Sequence, residues 1–230
     1  MSKLIVVFSG SGISAESGIK TFRDYDGLWE NHRIDDVASP EGFRRDPQMV
    51  LNFYNDRRLQ LLEVKPNQAH DVCVQLADFG RVVVITQNVD DLHERAGSQE
   101  VIHLHGELNK AQNTVPPFEI VDVTGQRINL GDHGQNEGQL RPYIVWFGEE
   151  VRFMEEAVAL VQGADYLVIV GTSLQVWPAA GLVNETKLGC KSYLVDPNPP
   201  ASQKRNITVI AEPASVGMQV VYDLIKADQL

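Results

Sequence analysis

The chain has 230 residues, 43% apolar and 22% charged, with 18 glycines, 11 prolines and a formal net charge of −11. These proportions exclude collagen-like, coiled-coil and wholly disordered chains, and the length suffices for one large domain with a real core, alone or carrying a small insertion. No Lys/Arg run marks a nucleic-acid binder, no segment approaches the roughly 18 apolar residues of a membrane span, and two cysteines, Cys73 and Cys190, make neither a disulfide framework nor a four-ligand zinc site.

In chain order, short apolar runs alternate with helical periods. Leu4-Ile5-Val6-Val7-Phe8 is continuously apolar, as in a parallel strand covered on both faces. Thr21 to Pro40 mixes aromatics with charges and is expected to be a mobile, ligand-covering loop. Asp46-Pro47 supplies an N-cap and a first-turn proline. Ala69, Val72, Cys73, Leu76 and Ala77 follow helical spacing, with Gly80 expected past the helix end. Val82–Ile85 is a second strong strand and Val101–Leu104 a shorter one. Glu107 to Leu140 breaks the rhythm with Pro116-Pro117 and four glycines, and predicts a weakly cored lobe of short strands such as Phe118–Val123. Tyr166–Val170, Ser192–Val195 and Ile207–Ile210 follow as strands. The repeated strand-helix-strand pattern predicts an α/β, doubly wound parallel sheet with right-handed crossovers. The large domain is expected at about 1–20, 75–106 and 141–230, with inserted segments at about 21–74 and 107–140.

Chemistry-bearing residues gather where the strands end, which is where open parallel sheets bind ligands. Gly10-Ser11-Gly12-Ile13-Ser14 follows the first strand; it reads as a phosphate cradle or an ordinary strand-to-helix turn. Gln87, Asn88 and Asp90 suit a polar amide ligand, although Asp90 or Asp91 could equally cap the segment ending near Gly97. His103-Leu104-His105-Gly106 offers a general base at neutral pH or structural histidines. A zinc pair is disfavoured, because alternate strand residues point to opposite faces. Gly171-Thr172-Ser173 resembles a second phosphate or ribose cradle, with Pro178 near the first turn of a helix. Tyr143 to Glu149 reads as a core strand or as an edge that pairs with an extended peptide. Tyr54 and Arg57, three apart, share a helix face and form a carboxylate clamp or a solvated surface.

The order of these motifs, from Gly10 through Thr21-Phe22-Arg23, Gln87-Asn88-Val89-Asp90, His105-Gly106, Val145-Trp146-Phe147-Gly148-Glu149 and Gly171-Thr172-Ser173-Leu174, resembles the sirtuin family over nearly the whole chain. The resemblance implies a Rossmann-like domain with a small insertion, and an NAD-dependent protein lysine deacylase that releases nicotinamide and an O-acyl-ADP-ribose. It assigns Gly10, Ser11, Gly12 and Ser14 to the phosphate side of the NAD site and places Phe22 and Arg23 on the loop over the cofactor. Gln87 would face the ribose, Asn88 and Asp90 the nicotinamide amide, and Gly171, Thr172 and Ser173 the adenosine half. His105 would be the general base and Asn88 would share in catalysis. Val145, Phe147 and Gly148 would receive the acyl-lysine peptide. The implied partners are acylated lysine peptides, with neither nucleic acid nor membrane, and the expectation is a cytoplasmic monomer.

Three departures qualify the resemblance. Many sirtuins bind a structural zinc with two Cys-x-x-Cys pairs, but here Asn113 falls about where the first cysteine would, so a zinc-free lobe and no metal are expected. Tyr54 and Arg57 match the acyl-carboxylate clamp of the desuccinylating branch, while Tyr25 replaces its usual small alanine, leaving acetyl, succinyl and malonyl groups as candidates. Asp196 stands about where an adenosine-ribose asparagine is usual, with Asn198 the alternative. Mono-ADP-ribosyl transfer, NAD hydrolysis and a non-catalytic NAD-responsive module are the competing functions.

Overall fold

In the computed structural model, which describes residues 2–20, 28–29, 32–135, 137–200 and 206–229, the first apolar run becomes β1 (Lys3–Ser9) and runs into a 3-10 segment, Ser11–Ser17. The short strands β2 (Leu28–Trp29) and β3 (His32–Arg33) precede helices α1 (Ile34–Val37), α2 (Pro40–Arg45), α3 (Pro47–Glu63) and α4 (Gln68–Gln75). Next come β4 (Gly80–Thr86), α5 (Leu92–Ala96) and β5 (Val101–His103), then β6 (Gly106–Asn113), β7 (Ile120–Asp122) and β8 (Leu140–Ile144). The chain continues through α6 (Met154–Gly163), β9 (Tyr166–Val170), β10 (Lys191–Val195), β11 (Ile207–Ile210) and α7 (Ala214–Asp228).

Six strands form one parallel sheet in the order β11-β10-β9-β1-β4-β5. The continuous apolar runs are explained by cover on both faces. Ile5, Val7, Val84 and Val168 pack beneath α4 and α7, while Val6, Phe8, Ile85 and Ile169 pack beneath α6. The strand order reverses between β1 and β9, and such a switch point opens a crevice at the carboxyl ends of the strands.

Local chemistry sets the helix starts. The Asp46 carboxylate accepts from the Met49 N–H at 2.9 Å with Pro47 in the first turn, and Asn67 forms a capping box with His70. Gly80 does not cap α4. It is the first residue of β4, where a Cβ would come 2.3 Å from the Lys3 carbonyl oxygen, so glycine is required by strand approach. Beyond Pro178 a 3-10 segment, Ala179–Asn184, stands where a helix was expected.

The segment from 106 to 144 folds as a three-stranded antiparallel sheet, β7-β6-β8, against α3. Its buried apolar cluster is small: Leu51, Ala111, Val123 and Ile128. Polar anchors supply the rest. Arg58 is fully buried and donates from Nε to the Leu108 carbonyl (2.7 Å) and from Nη1 to Asn55 Oδ1 (2.8 Å) and the Gln126 carbonyl (3.2 Å). Burial, with Arg127 nearby, pulls its pKa down to about 10, still charged at neutral pH. Asn55 completes the joint by bonding both backbone groups of Ile128 at 2.8 Å. Asn113 accepts from the Glu119 N–H (2.9 Å) and donates to the Pro117 carbonyl (3.2 Å). Among the described residues no group of three or more His, Cys, Asp and Glu side chains is placed to hold a metal ion. None of their helices is long and apolar enough to cross a membrane.

Candidate active site

The carboxyl ends of β1 and β9 interlock through glycine. Gly10 donates to the Val170 carbonyl (3.0 Å) and Gly12 to the Gly171 carbonyl (2.8 Å). A methyl on Gly12 would lie 2.6 Å from Gly171 Cα, and one on Gly171 would lie 2.2 Å from the Ile13 nitrogen. These glycines therefore permit two strand-end loops to touch, and the Gly10 and Gly12 N–H groups are engaged within the chain. Ser11 and Ser173 are half-buried beside the crossing. Thr172 donates its hydroxyl to Gln87 Oε1 (2.9 Å) and accepts from the Leu174 N–H (3.2 Å), joining the β9 loop to the β4 loop.

Behind the crossing lies a buried polar group. Ser14 donates to Asp90 Oδ2 (3.0 Å) and accepts from Asn88 Nδ2 (3.1 Å), while Asp90 Oδ1 accepts from the Leu92 N–H (3.2 Å). Asp90 thus spends one oxygen on the first N–H of α5 and the other on Ser14. Burial raises its carboxyl pKa, opposed by these hydrogen bonds. Asp196, at the end of β10, is buried and accepts from the Asn198 N–H at 2.8 Å; Asn198 itself is exposed.

His105 follows β5, with Nδ1 3.0 Å from the Gln87 carbonyl oxygen. A carbonyl only accepts, so Nδ1 carries a proton, and in the neutral ring Nε2 keeps its lone pair. Burial lowers its pKa below 6.5, with the Gln87 bond working the other way. A neutral ring with a basic Nε2 is the form a general base requires. The His105 carbonyl accepts from the Val145 N–H at 2.9 Å.

Residues 145–148 leave the sheet, since β8 ends at Ile144 and a turn follows. Phe147 donates its N–H to the Ala38 carbonyl (2.9 Å) and is 51% exposed; Gly148 is exposed too. The turn is pinned from behind. Arg141 stacks 3.6 Å over the Trp146 ring and bonds both Glu149 oxygens (2.7 and 2.9 Å), and Glu149 accepts from the Trp146 N–H.

Arg57 and Tyr54 lie in different surroundings. Arg57 lines an open cleft of about 580 Å³ with His32, Asn52, Phe53 and Asp56. Its guanidinium sits 4.8 Å from the Phe53 ring centre, and its buried Nε and Nη1 have no hydrogen-bond partner among the described residues. Tyr54, expected beside it as the second arm of a clamp, is fully buried and accepts from Trp146 Nε1 at 3.0 Å, and it does not line the cleft. Phe22, Arg23 and Tyr25 lie outside the described residues.

Sequence reasoning missed Arg58, whose charge gave no sign of burial, and the tie from Tyr54 to Trp146. It singled out His105 as the base and gave His103 no role of its own.

An open parallel sheet of this order, with a glycine crossing at its switch point and polar groups at the adjoining strand ends, defines a nucleotide-binding α/β protein. More specifically, the chain belongs to the Sir2 family, which residues 10–178 match. It is 48% identical over 229 residues to an NAD-dependent protein deacylase of Bacteroides thetaiotaomicron, covering 97% of this chain and 98% of that protein. It is 51% identical over 218 residues to one of Helicobacter pylori, covering 94% and 95%. The fold superposes on a Sir2 homolog–NAD complex with a TM-score of 0.86 at 35% identity, covering 100% of this chain and 91% of that one.

Proposed function

We propose that this protein is an NAD-dependent protein lysine deacylase that removes acetyl groups and, through Arg57, acidic acyl groups such as succinyl and malonyl. The observation that carries the reading is the orientation of His105, with Nδ1–H spent on the carbonyl of Gln87, the residue before Asn88 of the Asn88–Ser14–Asp90 cluster, and Nε2 left basic in the neutral ring. The residues present fit NAD: the Gly12–Gly171 crossing leaves no room for a side chain between the two loops, and the Asn88 amide and Asp90 carboxyl match the hydrogen-bonding pattern of a carboxamide. NAD, when bound, supplies an electrophilic ribose carbon and nicotinamide as its leaving group.

The chain's own residues orient, shield and move protons. Asn88 and Asp90 hold the carboxamide away from water, so that the enzyme's grip is tightest in the transition state. His105 Nε2 accepts a proton from a ribose hydroxyl, while its Nδ1–H stays on Gln87. Ser11 and Ser173 offer hydroxyls to phosphate or ribose, and the Asp196 carboxylate or the Asn198 amide takes the adenosine ribose. Val145, Phe147 and Gly148 receive the extended peptide, with the exposed Phe147 ring flanking the acyl-lysine.

Arg57 gives the acyl preference a physical basis. Two buried guanidinium nitrogens without a partner among the described residues, on a cation that lines the cleft, favour an anion there. Tyr54 acts from behind by holding Trp146. The test is mass spectrometry of products from NAD with matched acetyl-lysine and succinyl-lysine peptides. O-succinyl-ADP-ribose should form, and Arg57→Met should cut kcat/KM for the succinyl peptide about ten- to hundredfold more than for the acetyl peptide. Equal losses on both refute the acidic-acyl reading. Nicotinamide release without any acyl product refutes the deacylase and favours ADP-ribosyl transfer or NAD hydrolysis.

A further inference from the structure

Asn88 is held through its backbone as well as its side chain. Its N–H donates to Thr86 Oγ1 at 3.0 Å, and Thr86 Oγ1 also accepts from the Ser9 hydroxyl at 2.9 Å. Its carbonyl oxygen lies 2.9 Å from Nδ1 of His103, a residue only 7% exposed. The other ring nitrogen of His103, Nε2, lies 2.7 Å from Glu94 Oε1 on α5. A backbone carbonyl and a carboxylate can only accept, so both bonds exist together only while the ring carries two protons. Neutral imidazole would turn a lone pair on one of these oxygens.

The surroundings favour the charged ring. Burial, the largest influence, works against the charge, but the Glu94 bond and charge, the Asn88 carbonyl and Glu107 on β6 outweigh it and raise the His103 pKa above 6.5. Lys110 bonds Glu107 and also faces Glu94, which tempers both carboxylates. Asp90 adds a favourable charge from the loop side. His93 on α5 adds none, because burial, with His70 and His103 nearby, drives its pKa well below 6.5. The contrast with His105 is sharp. Two residues apart, the two rings direct Nδ1–H at the consecutive carbonyls of Asn88 and Gln87, one ring as a cation and the other as a neutral base.

We propose that His103 is a positioning residue: clamped between Glu94 and the Asn88 carbonyl, it fixes the Gln87–Asp91 loop and with it the pocket for the nicotinamide half of NAD. The proposal rests on the deacylase reading only in assigning nicotinamide to Asn88. As pH rises through the His103 pKa one of its two hydrogen bonds is lost, the loop slackens, and the nicotinamide half is held less firmly. The ADP-ribose half, which the proposed function assigns to the Gly12–Gly171 crossing, does not depend on this clamp.

The test compares the affinities of the full-length protein for NAD and for ADP-ribose by calorimetry across the neutral to alkaline range, without turnover. In the wild type, the ratio of NAD to ADP-ribose affinity should fall in a single step above pH 6.5. His103→Gln should lower the ratio about tenfold at neutral pH and abolish the step, leaving ADP-ribose affinity unchanged. Glu94→Gln should keep the step and move it to lower pH, since it removes the charge that favours the imidazolium. That second variant lies on a partly exposed side chain and keeps the test open should His103→Gln fold poorly. A step that persists at the same pH in both variants overturns the proposal, as does an equal loss of NAD and ADP-ribose affinity in His103→Gln. These readouts need no acyl product, so a wild type that binds with the expected step but yields no O-acyl-ADP-ribose sustains the clamp and defeats only the deacylase reading.

Discussion

In the six-stranded sheet, apolar side chains from both faces are covered by helices, and each fully buried Ile or Val contributes roughly 1.5–3 kcal/mol. The lobe built on β6, β7 and β8 has a four-residue apolar cluster and is fastened by side chains that reach its backbone groups, Arg58 and Asn55 from α3 and Asn113 across the β6–β7 connection. A sheet of this kind tolerates the loss of one polar contact. The lobe should tolerate it less, because removing Arg58 or Asn55 leaves backbone groups of buried Leu108 or Ile128 unpaired. The difference teaches that the two regions answer to different substitutions although they fold in one chain.

The largest effect should come where the sheet's ends carry chemistry. His105→Asn should lower acyl transfer by about a hundred- to ten-thousandfold while NAD binding and thermal unfolding stay close to the wild type, as measured by product formation, calorimetry and melting. Because burial holds the His105 pKa below 6.5, its base form prevails at neutral pH, and the acid-side decline of wild-type activity should fall beneath the ordinary histidine range. Ile5→Ala should cost about 2–5 kcal/mol, and chemical denaturation should show every probe of the molecule shifting together. Arg58→Met should cost about 2–3 kcal/mol locally. Hydrogen exchange should then quicken in residues 106–144 while β1, β4 and β9 keep their protection, and uniform loss across both regions would break the comparison. Asn113→Ala should have the smallest effect, about 1–2 kcal/mol, confined to exchange around Asn113–Glu119.

The main sheet was legible because double-sided burial writes strands as unbroken apolar runs, and Tyr166–Val170 has no other reading. The strand-end motifs were legible as a set, since ligands gather where parallel strands stop. The lobe was not. β6 reads Gly-Glu-Leu-Asn-Lys-Ala-Gln-Asn, and its register depends on partners that local periodicity does not encode. Arg57 and Arg58 are adjacent and chemically identical, yet one lines an open cleft and the other is sealed against carbonyls 50 and 68 residues away. The close approach of Gly12 to Gly171 was likewise hidden, because the two glycines lie far apart in sequence.

That contact also dictates when the pocket comes into being. The pairing of β1 with β9 closes a stretch of about 160 residues, the kind of late, non-local event that slows folding. A nascent chain that has released only its first half holds the glycine loop without the surface it rests on, and can offer a dinucleotide no site. On the proposed function, cofactor therefore binds the finished molecule alone. At saturating concentration it stabilises that molecule by mass action and leaves every earlier species unassisted.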